Sequence, residues 1–215
     1  MTKRFCFISD THNRHKKLNM NLEGVDFLIH TGDFTAMGKE KDVHRFNKWI
    51  GTLGLDKEHV IIIAGNHDWF FARHDRKRIE EVCSNFTYLQ EDRYECDGVK
   101  FYGAPHQPQF YNWAFNVPRG EKLKAIWDKI PEDTDVLLTH GPPIGILDAN
   151  QYGELCGCED LLNRVNELNL KVHAFGHIHE GRGLKEINGT AYINSAIVNE
   201  HYESVHEPVI MDIEF

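Results

Sequence analysis

Between His59 and Asp68 a wholly apolar run, Val60-Ile-Ile-Ile-Ala64, breaks at Gly65 into three polar side chains, Asn66, His67 and Asp68. Five residues are too few for a typical helix, and four of them are β-branched, so the run reads as a buried strand. Gly65 lets the backbone turn sharply and approach a ligand closely. The polar trio is therefore delivered at the strand's carboxyl end, where open α/β sheets place their chemistry. Taken alone, this junction is equally a strand followed by a polar turn. The chain makes it four more times. Phe5 to Ser9 runs into Asp10-Thr-His12, and Val25 to Thr31 runs into Gly32-Asp33, with Gly38 closing a G-D-x4-G pattern. Asp135 to Thr139 delivers His140-Gly141, and Lys171 to Phe175 delivers Gly176-His-Ile-His179.

Other elements follow from periodicity. Asp42 to Leu53 carries Val43, Phe46, Trp49, Ile50 and Leu53 on one helical stripe. Asp75–Cys83, Glu121–Ile130 and Glu159–Leu168 read as further helices. Short strands are expected at Phe86–Leu89, Arg93–Cys96, Val99–Gly103, Leu184–Ile187, Ala191–Asn194 and Val209–Ile213, with hairpin turns at Asp97-Gly98 and Asn188-Gly189. Strand–helix alternation that gives way to clustered strands points to a mixed sheet. Trp69-Phe-Phe71 reads either as a wall of the site or as core. Ala104 to Gly120 is irregular, broken by Pro105, Pro108 and Pro118 and crowded by Phe110, Tyr111, Trp113 and Phe115. Such loops serve binding; the aromatics either stack on a flat group such as a nucleobase or seal a small satellite core. Arg119 is a candidate anion contact.

A length of 215 residues suits one domain spanning 1–215. The net charge of −9 argues against non-specific binding of nucleic acid or anionic membrane. A phosphate-bearing substrate stays compatible, because bound metal supplies positive charge locally. Cys6, Cys83, Cys96, Cys156 and Cys158 form no disulfide framework, and Cys156-x-Cys158 lacks a second pair for structural zinc. Reduced thiols in a cytoplasmic protein are expected. The first strand begins almost at Met1, so no signal peptide is expected, and no apolar run is long enough to span a bilayer.

The five junctions hold two aspartates, an asparagine and several histidines, an oxygen and nitrogen donor set without thiolate. That set suits Mn²⁺, Fe, Zn²⁺ or Ni²⁺ and suits Ca²⁺ poorly. More donors are present than one ion needs, so two ions sharing a carboxylate is the economical arrangement. In an extended backbone residues two apart project together. Asp10 with His12, and His177 with His179, are thus expected to converge in pairs. His67 follows Asn66 directly, so the two diverge and only one can comfortably bind metal. The neighbouring Asp68 is expected to keep the His67 imidazole charged and oriented.

Asp10-x-His12, Gly32-Asp33-x4-Gly38, Gly65-Asn66-His67-Asp68, Thr139-His140-Gly141 and Gly176-His177-x-His179 resemble, in order, the motifs of the calcineurin-like metallophosphoesterase superfamily. Tyr102-Gly-Ala-Pro-His-Gln-Pro, Phe115-Asn-Val-Pro-Arg-Gly120, Thr139-His-Gly-Pro-Pro143 and His179-Glu-Gly-Arg-Gly183 look more narrowly like the metallophosphoesterase-domain-containing subfamily. Some members of that subfamily lack a metal-binding histidine; here both His177 and His179 are present. The resemblance implies an α/β fold, a sandwich of two mixed β-sheets flanked by helices (α/β/β/α). It implies one metal ion on Asp10, His12, Asp33 and His179, with Asp33 bridging to a second on Asn66, His140 and His177. A hydroxide between the ions would attack phosphorus in line, while His67, paired with Asp68, protonates the leaving oxygen and Asn66 also touches a phosphate oxygen. The expected activity is hydrolysis of a small phosphodiester, such as a cyclic or other nucleotide. Phosphomonoesterase, protein phosphatase, nuclease and weakly catalytic nucleotide-binding module are the alternatives. The remaining nine histidines, His30 and His173 included, are expected in the core or on the surface.

Overall fold

Phe5 and Phe7 point to one side of the first strand and Cys6 and Ile8 to the other, as a period of two requires, and all four are fully buried. A strand apolar on both faces needs cover on both. In this computed structural model, which describes residues 1–215, the elements in order are β1 (Thr2–Ile8), β2 (Phe27–His30), α1 (Glu40–Ile50), β3 (Val60–Ile62), α2 (Trp69–Arg73), α3 (Arg76–Val82), β4 (Thr87–Tyr88), β5 (Asp92–Cys96) and β6 (Val99–Ala104). They continue as β7 (Gln107–Pro108), β8 (Asn116–Val117), α4 (Glu121–Trp127), β9 (Val136–Thr139), α5 (Glu159–Val165), β10 (Val172–Phe175), β11 (Gly183–Ile187), β12 (Thr190–Asn194) and β13 (Val209–Glu214).

Two mixed sheets result. One has the order β13-β1-β2-β3-β4, parallel except for β13. The other has the order β11-β12-β10-β9-β6-β5, parallel inside with antiparallel edges β11 and β5. Phe5, Phe7, Phe27, Ile29 and Ile61 meet Val99, Phe101, Val136, Leu138 and Val172 between the sheets. Phe5, Phe27 and Phe101 form a ring cluster with centroids 5.1–6.3 Å apart. Burial of each such side chain contributes about 1.5–3 kcal/mol.

The outer faces carry the helices. Cys6, Ile8, Leu28, Val60 and Ile62 pack under Val43, Phe46 and Ile50 of α1 and Ile79 and Val82 of α3. Tyr102, Leu137, Phe175 and Tyr192 pack under Leu123 and Trp127 of α4 and Leu161 and Val165 of α5. The architecture is α/β/β/α, the sandwich that the motifs imply. The four expected helices stop short of their expected ends: α1 at Ile50, α3 by one residue at Val82, α4 at Trp127 and α5 at Val165. Ile130 and Leu168, read as helical, lie in turns yet stay buried, because the apolar stripe reports burial rather than the i→i+4 ladder. Trp69 to Phe71 belongs to α2, five residues and too short for periodicity to reveal; Phe70 and Phe71 fill the α1-side core rather than walling the site.

Candidate metal centre

Strands β1, β2 and β3 of one sheet and β9 and β10 of the other end along one edge of the sandwich. The loops that leave them do not continue the strand conformation. Asp10, His12, Asp33 and His177 all take left-handed φ, at +53°, +38°, +56° and +69°. Such angles are uncommon outside glycine and concentrate at functional sites. Backbone bonds fix them: Asp10 N–H donates to Gly32 O at 2.9 Å and His12 N–H to Asp33 O at 2.9 Å. Asp10 and His12 thus converge through a left-handed turn, not through the strand alternation expected from spacing. The same correction splits the other pair: His177 joins Asp33 and His140, while His179 joins Asp10 and His12.

Each aspartate is half anchored and half free. Asp33 Oδ1 accepts from His67 N–H at 2.7 Å, and Asp10 Oδ2 accepts from His177 N–H at 3.0 Å. The remaining oxygens face imidazoles. Asp10 Oδ1 lies 3.4 Å from His179 Nε2 and 3.9 Å from His12 Nε2. Asp33 Oδ2 lies 3.7 Å from His12 Nε2, 3.4 Å from His140 Nε2 and 3.9 Å from His67 Nε2. One oxygen of Asp33 therefore faces both groups of donors. Asn66 Oδ1 sits 2.9 Å from His140 Nε2, extending the second group. Glycine makes this crowding possible: a Cβ on Gly65 would strike Asp33 Oδ1 and come within 2.6 Å of His140 Cε1, and one on Gly176 would strike Asp10 Oδ2 and Ser9 Oγ.

The electrostatics match paired charges. Burial pushes the Asp10 carboxyl upward, but the imidazole of His179 outweighs it and holds the group well below its ordinary range. Asp33 is likewise held low against burial, by His140 first. Burial pushes His140 down, and Asp33 overcomes it, raising the imidazole to about 9. Asp10 Oδ1 and both ring nitrogens of His12 are buried without any hydrogen-bond partner. An unpaired buried polar atom costs about 1–3 kcal/mol, and a cation between Asp10 Oδ1 and His12 Nε2 would satisfy both. Donors around an ion with bonds of about 2.1 Å lie about 3 Å apart, so separations of 3.4–3.9 Å need only slight contraction. The residues fit a metal pair: Asp10, His12 and His179 on one side, His140, His177 and Asn66 on the other, Asp33 between.

Two further site expectations change. Asp68 does not touch the His67 ring: its Oδ1 accepts from Thr35 N–H and Oγ1–H, at 2.9 and 2.7 Å, and its Oδ2 from Gly65 N–H at 2.9 Å. The carboxylate turns inward and ties two loops together. His67 instead sets its Nδ1 2.7 Å from the Ala36 carbonyl and stacks on Trp113 with centroids 4.2 Å apart. Arg119 lines the mouth, but its guanidinium pairs with Glu159 and donates to Gly157 O at 2.8 Å. Sequence reasoning missed Thr35, Ala36, Asn199 and Tyr202. None carries a motif, and only spatial proximity identifies them. The metal groups open into a cavity of about 1000 Å³ lined by Phe110, Tyr111, Trp113 and Tyr202 and by Glu154, Glu180 and Glu200. Phe115 packs instead against the α1-side core. No helix is long and apolar enough to cross a membrane, and all five cysteines are unpaired.

A two-sheet sandwich with Asp and His clusters at its strand ends defines a metal-dependent phosphoesterase class, and the chain belongs to the calcineurin-like phosphoesterase family, whose model matches residues 3–181. Among individual proteins, human metallophosphoesterase domain-containing protein 1 is 37% identical over 234 residues, covering 98% of this chain and 71% of its own length. A UPF0046 protein of Caenorhabditis elegans is 38% identical over 229 residues, with 98% and 80% coverage. The crystal structure of TT1561 of Thermus thermophilus superposes with a TM-score of 0.64 at 15% identity, covering 90% of this chain and 89% of that one. Phosphopantetheinyl hydrolase of Mycobacterium tuberculosis gives 0.57 at 14% identity, covering 93% and 91%. These two share the fold.

Proposed function

We propose that the protein is a dinuclear-metal phosphodiesterase that hydrolyses a small phosphodiester, nucleotides among the candidates. The observation that carries this reading is the position of Asp33 Oδ2, within 3.4–3.9 Å of ring nitrogens from both donor groups and of His67. Bound divalent cations supply Lewis-acid charge and an acidified water near neutral pH. The chain's own residues do the rest. Asp10 and Asp33 are fixed by backbone N–H bonds, so the ligand oxygens are preorganised. Asn66 stands at the cavity edge, where its amide can meet a phosphate oxygen. His67, whose Nδ1–H donates to Ala36 O, presents Nε2 to the cavity, where a proton can pass to a leaving alkoxide.

The preference for a diester rests on charge. The cavity lining holds one cationic side chain, Arg119, already paired with Glu159, beside three glutamates. A monoester dianion gains little from such walls, whereas a singly charged diester needs no further cation. Long polyanions fit still less well at a net charge of −9. Purified protein with Mn²⁺ should turn over bis-p-nitrophenyl phosphate faster than p-nitrophenyl phosphate and should hydrolyse a cyclic nucleotide. Preference for the monoester would reassign it as a phosphomonoesterase; no turnover in any metal, with tight nucleotide binding, would make it a binding module.

A further inference from the structure

Most imidazoles around the centre are aimed by a hydrogen bond on the nitrogen away from the metal groups. His140 Nδ1 faces Thr31 O at 2.9 Å, His179 Nδ1 faces Asn199 O at 3.0 Å, and His67 Nδ1 faces Ala36 O at 2.7 Å. His12 has no partner on either nitrogen, although its side chain is 4% exposed. Metal-binding histidines normally fix their ring through that second bond. Packing must do so here. The His12 ring meets three others edge-on: His67 at 4.7 Å, His179 at 5.5 Å and Tyr202 at 4.8 Å between centroids. The two histidines belong to the site. Tyr202 has no assigned part in it.

Tyr202 stands at the tip of a hairpin closed by the Val198–Ser204 bridge, with φ at +59°. That angle costs a bulky residue about 1–3 kcal/mol and persists only where its surroundings enforce it. Asn199 enforces it. Tyr202 N–H donates to Asn199 O at 2.9 Å, and Asn199 Oδ1 accepts from His201 N–H and Glu203 N–H at 3.0 and 2.9 Å. The same Asn199 carbonyl aims His179. Tyr202 is 41% exposed and belongs to none of the three apolar cores, so folding does not require its ring there. The hairpin lies beyond the residues that match the family model.

We propose that Tyr202 is a positioning residue for the first cation. Its ring replaces the missing hydrogen bond as a wall, keeping His12 in the rotamer that directs Nε2 toward Asp10 and Asp33. This rests on the reading that Asp10, His12, Asp33 and His179 hold a divalent cation. The ring acts, not the hydroxyl.

The test is calorimetric titration of Mn²⁺ into the full chain after chelator treatment, for wild type, Tyr202→Phe and Tyr202→Gly. Wild type should bind two ions, and Tyr202→Phe should match it. Tyr202→Gly should lose about ten- to a hundredfold in affinity at one site, the usual scale for outer-shell partners. Glycine accepts a positive φ freely, so the thermal midpoint of the metal-free variant should equal or exceed that of wild type. Equal affinities for wild type and Tyr202→Gly would overturn the proposal and leave the metal reading intact. A loss in Tyr202→Phe as large as in Tyr202→Gly would overturn it by assigning the effect to the hydroxyl. An affinity loss accompanied by a lower metal-free midpoint would overturn it by making the ring a structural support. Failure of wild type to bind Mn²⁺ would remove the metal reading and the proposal together.

Discussion

One histidine ring in each half of the centre is held in a different way. His140 is wired: one ring nitrogen faces Thr31 O and the other faces Asn66 Oδ1. His12 is packed, its ring touching three other rings and bonded to none of them. Hydrogen bonds specify an angle directly, while packing specifies it only as well as the surrounding rings are themselves fixed. The His140 ring is therefore preformed, and the His12 ring depends more on its cation. Asp33 belongs to both halves, and its substitution is the strongest way to erase the contrast.

Asp33→Asn should empty both halves and reduce phosphoester turnover by about 10³-fold, the equivalent of several kcal/mol at about 1.4 kcal/mol per tenfold. Metal analysis with parallel assays checks it; retention of both ions with near-normal turnover would refute the bridging role. His67→Ala should slow substrates with poor alkoxide leaving groups by about 10²–10⁴, and a nitrophenyl ester much less. Equal losses on both would show that His67 does not deliver a proton.

The next effect separates the two rings directly. His140→Ala leaves Thr31 O and Asn66 Oδ1 buried and unpaired, whereas His12→Ala breaks no hydrogen bond. In chelator, His140→Ala should be the less stable variant by about 1–3 kcal/mol, read from urea midpoints. Equal midpoints would mean that the wiring carries no weight.

A last effect, about 1.4 kcal/mol per group, concerns pH. One buried histidine lies beneath each half: His30 Nε2 is 3.1 Å from Thr11 Oγ1, and His173 Nε2 is 2.8 Å from Thr139 Oγ1. Burial lowers both imidazoles to about 3. An unfolded histidine titrates at about 6.5, so as pH falls the unfolded chain takes up protons first. Stability from these groups is complete above pH of about 6.5 and drains away toward about 3. By pH of about 5.5 each should contribute a loss of about 1.4 kcal/mol. Urea unfolding of chelated protein at several pH values measures it. A flat profile between neutrality and pH of about 5 would contradict the burial of these rings as neutral species.

The layers and the donors were legible in the residue pattern. Strands such as Phe5–Ile8 and Val60–Ile62 are apolar on both faces, and only a sheet covered on both sides can bury them. The glycine-flanked polar residues at five strand ends named every donor now gathered at the edge. The resemblance of the motifs divided the donors between two ions, but local spacing and adjacency alone did not show which side chain faces which. Alternation along a strand paired His177 with His179, but left-handed turns send them to different halves. Adjacency paired Asp68 with His67, but Asp68 is drawn inward by Thr35 and Gly65. Tyr202 reaches His12 from 190 positions along the chain. Local patterns encode burial and backbone freedom residue by residue, whereas the direction of a side chain in a turn depends on bonds from distant segments. Those bonds exist only once the two sheets have closed on each other.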